Sequence, residues 1–297
     1  MNILIITGGN SSERKVSLGS AKNVKEALQK KGYKVKLFDL RQGFDFLNNI
    51  VSEFEILFPV LHGEEGEGGG LHKYLCKFEK PIVGTRNYKA LRKAWYKIQF
   101  KQFCENNGIL TSPWKKVRLK KEILEFGFPS VLKSSSGGSS REVVILKDKK
   151  DLNSYAARKL LNSGLELFVE KYLPGVEVTA GILEGKALSL IEIVPPKGSW
   201  FDYKNKYSGV TQEIPHAPSL TEKLRKEVGA IAEKIHNTLD LGSYSRIDFM
   251  VSDNLPYAIE VNTIPGLTSE SLLPKAARAA DISFGDFLQI LVKNSLR

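Results

Sequence analysis

Cysteine is scarce in this chain: Cys76 and Cys104 are the only two in 297 residues. Two distant cysteines provide neither a disulfide framework nor a zinc pattern, a usage that fits a reducing cytoplasm. Long apolar runs are missing as well, and no stretch reaches the roughly 20 residues that span a bilayer. The opening MNILIITGGN has no basic segment ahead of its apolar one, which argues against secretion. The dinucleotide fingerprint G-x-G-x-x-G is absent, so a nicotinamide cofactor is not supported, and no Walker A loop is found. Aromatic-interleaved basic motifs are also lacking. The excess of 44 Lys and Arg over 33 Asp and Glu, a net +11, therefore reads as a solvated surface or an attraction for an anionic nucleotide, not as specific nucleic-acid binding.

With 42% hydrophobic residues the chain has material for two or three modest cores. Residues 2–7 (NILIIT) form a buried-strand run, and Ala21, Val24, Ala27 and Leu28 then repeat at helical spacing before a second strand at 33–40. This βαβ opening predicts a parallel, Rossmann-like sheet whose strand ends face a ligand cleft. Glu13 sits at the first strand-to-helix junction. Such an acid either recognises an ammonium group or simply meets the helix dipole. Strand 56–61 ends in His62-Gly63-Glu64-Glu65-Gly66-Glu67-Gly68-Gly69-Gly70, where glycines permit close backbone approach to a ligand.

Beyond Gly84 the chain turns helical and basic, through Lys97 to a helix stop at Asn106-Asn107-Gly108. Lys133 then precedes a Gly/Ser run at 134–140 between two β-runs. Alone, that run is either a flexible loop or a flap whose N–H groups and hydroxyls converge on phosphate. The strand 167–173 leads into Pro174-Gly175, and Glu177 opens the next β-run. Residues 195–218 show neither regular period, yet PPKGSWFDYKNKYSG is too aromatic for a disordered connector. Leu224, Val228, Ile231 and Ile235 mark a helix, and further helices are expected from Leu272 and over 284–296.

The most informative stretch is RIDFMVSDNLPYAIEVNTIPG, 246–266. Two β-rich runs, 245–251 and 257–262, flank the turn-forming Ser252-Asp253-Asn254-Leu255-Pro256. A hairpin in register about Asn254 sets Asp248 opposite Glu260 and Arg246 opposite Asn262. Opposed carboxylates repel unless a cation lies between them. Oxygen donors alone suit a hard cation such as Mg2+, although a merely solvated polar face is the plainer alternative.

This segment, with Gly266, Thr268-Ser269-x-Ser271-Leu272 and the upstream Gly8-Gly9-Asn10-Ser11-Ser12-Glu13-Arg14-Lys15-Val16-Ser17, resembles the D-alanine D-alanine ligases of the ATP-grasp superfamily. The resemblance covers essentially the whole chain. It implies an α/β N-terminal substrate domain (1–84), a central ATP-grasp lobe (85–173) and a C-terminal catalytic lobe (174–297), with 195–218 as a loop over the active site. ATP would be held by Lys97, Lys133 and Lys206, with Glu170, Lys171 and Leu173 at the base edge and Glu177 at the ribose. Mg2+, two ions with Mn2+ as substitute, would be held by Asp248, Glu260 and Asn262. Glu13 would orient the first D-alanine, with His62 near the substrate, and Tyr207 would hydrogen-bond with Ser139 and Glu13. Arg246 and the Gly266 N–H would serve the oxyanion, and Ser271 and Leu272 the second carboxylate. Tyr207 would favour D-alanine over D-lactate. The sequence departs from the family at Tyr96, where an Asp is customary, and at Ser134, commonly proline. Relatives of this kind are commonly homodimers. Another ATP-grasp carboxylate-amine ligase, or a non-catalytic nucleotide-binding regulator, would share most of these residues.

Overall fold

The computed structural model describes residues 1–138, 142–198, 205 and 209–297, and within them the chain forms three sheets. The first is parallel, in the order β2-β1-β3, built from β1 (Asn2–Thr7), β2 (Lys34–Asp39) and β3 (Ile56–Pro59). Helices α1 (Arg14–Lys30) and α2 (Phe44–Ile50) connect these strands. Ile3, Leu4, Ile5 and Ile6 of β1 are all apolar because both faces of the strand are covered. Ile3 and Ile5 pack with Ala21, Val24 and Leu28 of α1, whereas Leu4 and Ile6 enter a second cluster with Leu47 and Leu57. Successive side chains of a strand covered on both faces must all be apolar. Two short helices, α3 (Glu64–Glu67) and α4 (Gly70–Leu75), follow β3, and α5 (Tyr88–Trp95) and α6 (Lys97–Asn106) lead to the next sheet.

That sheet is antiparallel, β4-β7-β5-β6, from β4 (Trp114–Val117), β5 (Ser130–Ser134), β6 (Val143–Leu146) and β7 (Leu167–Lys171). Helices α7 (Lys120–Phe126) and α8 (Tyr155–Leu161) cover one face, packing Ile123, Ala157 and Leu160 on Val117, Leu132, Leu146 and Val169. The alternate residues Val131, Lys133, Val143, Ile145 and Glu170 therefore point the other way, into a cavity.

The third sheet runs β11-β10-β8-β12-β13, with β9 beside β8. Its strands are β8 (Val176–Leu183), β9 (Lys186–Ala187), β10 (Ile191–Val194), β11 (Gln212–Pro215), β12 (Tyr244–Ser252) and β13 (Leu255–Asn262). Helix α9 (Glu222–Leu239) covers one face through Leu224, Val228 and Ile235, joined by Ala94, Phe100 and Phe103 from α5 and α6. After α10 (Leu272–Arg278), α11 (Phe284–Asn294) returns to the first sheet and packs Phe287, Leu288 and Leu291 beside α1. Segments 1–84, 85–173 and 174–297 thus hold one sheet each, while α5, α6 and α11 cross between them.

Two sequence expectations are corrected. Within 195–218, residues Gln212–Pro215 are not irregular but pair antiparallel with β10, Glu213 opposite Ile193. Four residues with one aliphatic side chain are too short a run to display alternation. The hairpin turn is also tighter than the five-residue cluster expected. Ser252 pairs with Leu255 and Val251 with Pro256, leaving only Asp253 and Asn254 in the turn, at φ 51° and 60°. Asp and Asn tolerate that left-handed backbone, and Pro256 is accommodated because β13 is an edge strand.

Candidate active site

The second and third sheets face one another across a cavity. On the third sheet Asp248 of β12 lies opposite Glu260 of β13, and Arg246 lies opposite Asn262, in the register the sequence predicts. Asp248 accepts a two-pronged ion pair from Arg246 (Nε 2.9 Å, Nη2 2.8 Å), with Thr179 Oγ1 at 2.6 Å and Asn262 Nδ2 at 3.2 Å. Burial opposes the charge of Arg246, but Asp248 more than offsets it and raises the guanidinium pKa further. A fixed guanidinium is thereby held at the cavity edge. A carboxylate offers about four lone-pair sites. On Asp248 four donors already take those sites, so a cation there would displace one of them; with Glu260 and the Asn262 amide oxygen, Asp248 supplies the oxygen-only donor set that suits a hard cation completing its shell with water and phosphate.

Across the cavity, Lys97 opens α6 and ties the two sheets together. Its Nζ lies 3.4 Å from Glu260 Oε2 and donates to the Gly137 carbonyl at 2.8 Å, while its backbone N–H donates to Ser135. Lys133 on β5 pairs with Glu170 Oε1 at 2.5 Å. The apolar side chains of Val131, Ile145, Met250 and Ile259 line the space between, with Lys171, Tyr172, Leu173 and Glu177 at the link between the sheets. This wall suits a flat heterocycle, with the lysines placed for phosphate.

Glu170, 3% exposed, also meets Lys101 Nζ at 2.5 Å. Burial alone would raise its pKa, but the attraction of Lys101 and Lys133 prevails and lowers it to about 2. Sequence reading placed Glu170 at the base edge and missed Lys101 altogether. In a lysine-rich helix its burial is signalled only by its neighbours Phe100, Phe103 and Cys104, which are buried with it.

A second cavity adjoins the first and shares Lys97, Gly137, Gly138 and Glu260 with it. Glu13 reaches it from the start of α1, which is pinned by the two-pronged Arg14 contact with Asp39 at the end of β2. Glu13 lies so close to the Gly/Ser loop that a Cβ on Gly138 would come 2.7 Å from its Oε2. His62 lines the same cavity, buried against Ser20 Oγ at 3.3 Å. Burial lowers its pKa, an effect that the charge of Glu13 only partly offsets. Gly266, Ser271 and Leu272 form the far wall, with Ser271 Oγ 3.1 Å from the Thr268 N–H that donates to it. Glu67, also missed from sequence, is buried here. Its carboxylate accepts from the Gly63 N–H at 3.2 Å, and burial, reinforced by Glu13, raises its pKa to about 8. Ser139, Lys206 and Tyr207 lie outside the described residues.

Two antiparallel sheets closing on a nucleotide-sized cleft, lysines on one and carboxylates on the other, constitute the ATP-grasp fold. The solved D-alanine--D-alanine ligase of Bacillus anthracis complexed with ATP superposes with a TM-score of 0.86 at 31% identity, covering 100% of this chain and 98% of that one. A family model described as the D-ala D-ala ligase C-terminus matches residues 99–293. The D-alanine--D-alanine ligase of Maridesulfovibrio salexigens is 35% identical over 301 residues, covering 99% of this chain and 98% of its own. That of Clostridium beijerinckii is 34% identical over 307 residues, covering 100% and 99%. The chain belongs to the D-alanine–D-alanine ligase family.

Proposed function

We propose that this protein joins two D-alanine molecules at the expense of ATP, releasing ADP and phosphate. The observation that carries this reading is the merging of the two cavities at Lys97 and Glu260, which brings a nucleotide's terminal phosphate to the site where an amino acid meets Glu13 and Arg246. The three segments 1–84, 85–173 and 174–297 then act as substrate domain, nucleotide lobe and catalytic lobe.

The base rests on Val131, Ile145 and Met250 beside Lys171 and Leu173, the ribose faces Glu177, and Lys97 and Lys133 meet the phosphates. Asp248, Glu260 and Asn262 hold Mg2+, which when bound offsets phosphate charge during transfer. Glu13 binds the ammonium of the first D-alanine beneath His62. Its carboxylate attacks the γ-phosphorus, ADP departs, and an acyl phosphate forms. The amine of a second D-alanine, whose carboxylate sits at Ser271 and Leu272, attacks the acyl carbonyl, and phosphate leaves. Arg246 and the Gly266 N–H stabilise the oxyanion between these steps. Seclusion from water preserves the acyl phosphate for the amine.

The dipeptide product places the enzyme in peptidoglycan synthesis, hence in the cytoplasm. No described helix is long and apolar enough to cross a membrane. A homodimer is the assembly proposed. ADP release with Mg-ATP, offered D-alanine, L-alanine, D-lactate or no acceptor in parallel, tests the reaction. Stimulation by D-alanine with dipeptide as product is expected. ATP binding without D-alanine-dependent turnover would transfer the fold to another carboxylate-amine ligase or to a regulator.

A further inference from the structure

Lys101 is 1% exposed, and the reaction as derived gives it nothing to do. A buried ammonium is strongly disfavoured unless it is paired with a charge and hydrogen-bonded, and Lys101 is both. Glu170 Oε2 lies at 2.5 Å, Thr111 Oγ1 at 2.8 Å and the Ser112 carbonyl at 3.3 Å. The other oxygen of Glu170 lies 2.5 Å from Lys133 Nζ, which lines the nucleotide cavity. One carboxylate shared by two ammoniums leaves a net charge of one, and Lys133 is the member of the trio besides Glu170 that reaches the cavity. Were Lys101 neutral, Glu170 would balance Lys133 fully and draw it back against β7.

We propose that Lys101 is a positioning residue for the nucleotide: it occupies one oxygen of Glu170, so that Lys133 keeps its charge for the phosphates of ATP. This rests on reading the cavity between the second and third sheets as the nucleotide site. The alternative is that Lys101 only fills space.

Charge counting separates the two. Lys101→Met preserves much of the volume but removes the second cation. It should raise KM for ATP about tenfold, as loss of a charge-assisted phosphate contact does, while KM for D-alanine stays within about twofold. Adenosine, which carries no phosphate, should bind the variant as it binds the parent. The double variant K101M/E170Q restores the net charge and keeps an amide oxygen at the base edge, so its ATP KM should return toward the parent value. An unchanged ATP KM in K101M, or a double variant no better than the single, overturns the proposal. Should K101M fail to fold, E170Q compared with K101M/E170Q decides: E170Q, richer by one cation, should bind ATP more tightly, and equal or weaker binding counts against the idea. A parent enzyme that binds D-alanine but no ATP would instead remove the nucleotide reading itself.

Discussion

Asp248 and Glu260 stand directly opposite one another across β12 and β13, yet the turn that joins these strands is centred between Asp253 and Asn254, half a residue away from the centre that pairing requires. Ile259 makes up the difference. The ladder pairs Phe249 with Ala258 and then Asp248 with Glu260, so one residue of β13 bulges and both Ile259 and Glu260 face the nucleotide cavity. A bulge of this kind re-aims side chains next to a site.

Deleting Ile259 should therefore be tolerated. The ladder would run without interruption from Ala258 to Glu260, and Asp248 would keep its partner. The protein should fold and release ADP in response to D-alanine, with ATP KM raised roughly tenfold for the lost apolar wall. Deleting Val261 should abolish turnover, because Asn262 would rotate to the core face. Equal loss in both deletions, measured by steady-state kinetics, would contradict the role assigned to the bulge.

Glu260→Ala separates function from stability. Removing one of two facing carboxylates relieves repulsion, so the nucleotide-free variant should melt no lower than the parent, even though Lys97 loses a partner at 3.4 Å. Turnover should drop by about a thousandfold, and the rise in melting temperature on adding Mg-ATP should shrink. Near-normal D-alanine-dependent turnover would refute the metal assignment.

What could be read from the sequence follows from range of interaction. The facing of Asp248 and Glu260 was legible because alternation along two short strands is local. The bulge was not, since Tyr257-Ala258-Ile259-Glu260 carries no glycine to mark it, and Ala258 beside Ile259 reads equally well as a strand covered on both faces. Glu13 and His62 were legible because each leaves a strand of a parallel sheet at its carboxyl end, where ligands bind. Lys101 was invisible, and Glu67 was legible only as one acid of the glycine-rich loop after His62. Each resembles the surface charges around it, and only contacts made in the fold, with Glu170 for one and with the Gly63 N–H and Glu13 for the other, make it a buried ion or a buried acid. The crossing of α5 and α6 onto the third sheet is likewise a tertiary choice, decided by which sheet offers Ile247 and Phe249 to their apolar faces.

Two glycines should respond differently to alanine. At Gly66 an added Cβ would lie 1.7 Å from the Leu61 carbonyl oxygen, a backbone atom that cannot give way. Gly66→Ala should cost roughly 3 kcal/mol and lower the melting temperature by several degrees. At Gly138 the obstacle is Glu13 Oε2 at 2.7 Å, the end of a side chain. Gly138→Ala should leave melting nearly unchanged while raising KM for the first D-alanine more than KM for ATP. A purely thermal defect at Gly138 would separate Glu13 from substrate binding.

Glu67 gives stability a pH dependence of definite sign. Its pKa in the folded protein is raised from 4.5 to about 8, first by burial and then by Glu13. Between those values the folded state holds a proton that the unfolded chain has released. Stabilisation by the neutral acid is therefore complete below pH 4.5 and is lost as pH rises through about 8, at up to roughly 1.4 kcal/mol per pH unit. Glu67→Gln keeps an amide oxygen able to accept from the Gly63 N–H and carries no charge at any pH. Denaturant unfolding of the nucleotide-free protein at intervals from pH 5 to 8 should show a shallower decline in the variant, with the gain over the parent largest at the alkaline end. Parallel slopes would mean that Glu67 is ionised throughout the window. Some cation near Glu13 and Arg246 would then have to be stabilising it, and the cavity would carry one more negative charge than its geometry implies.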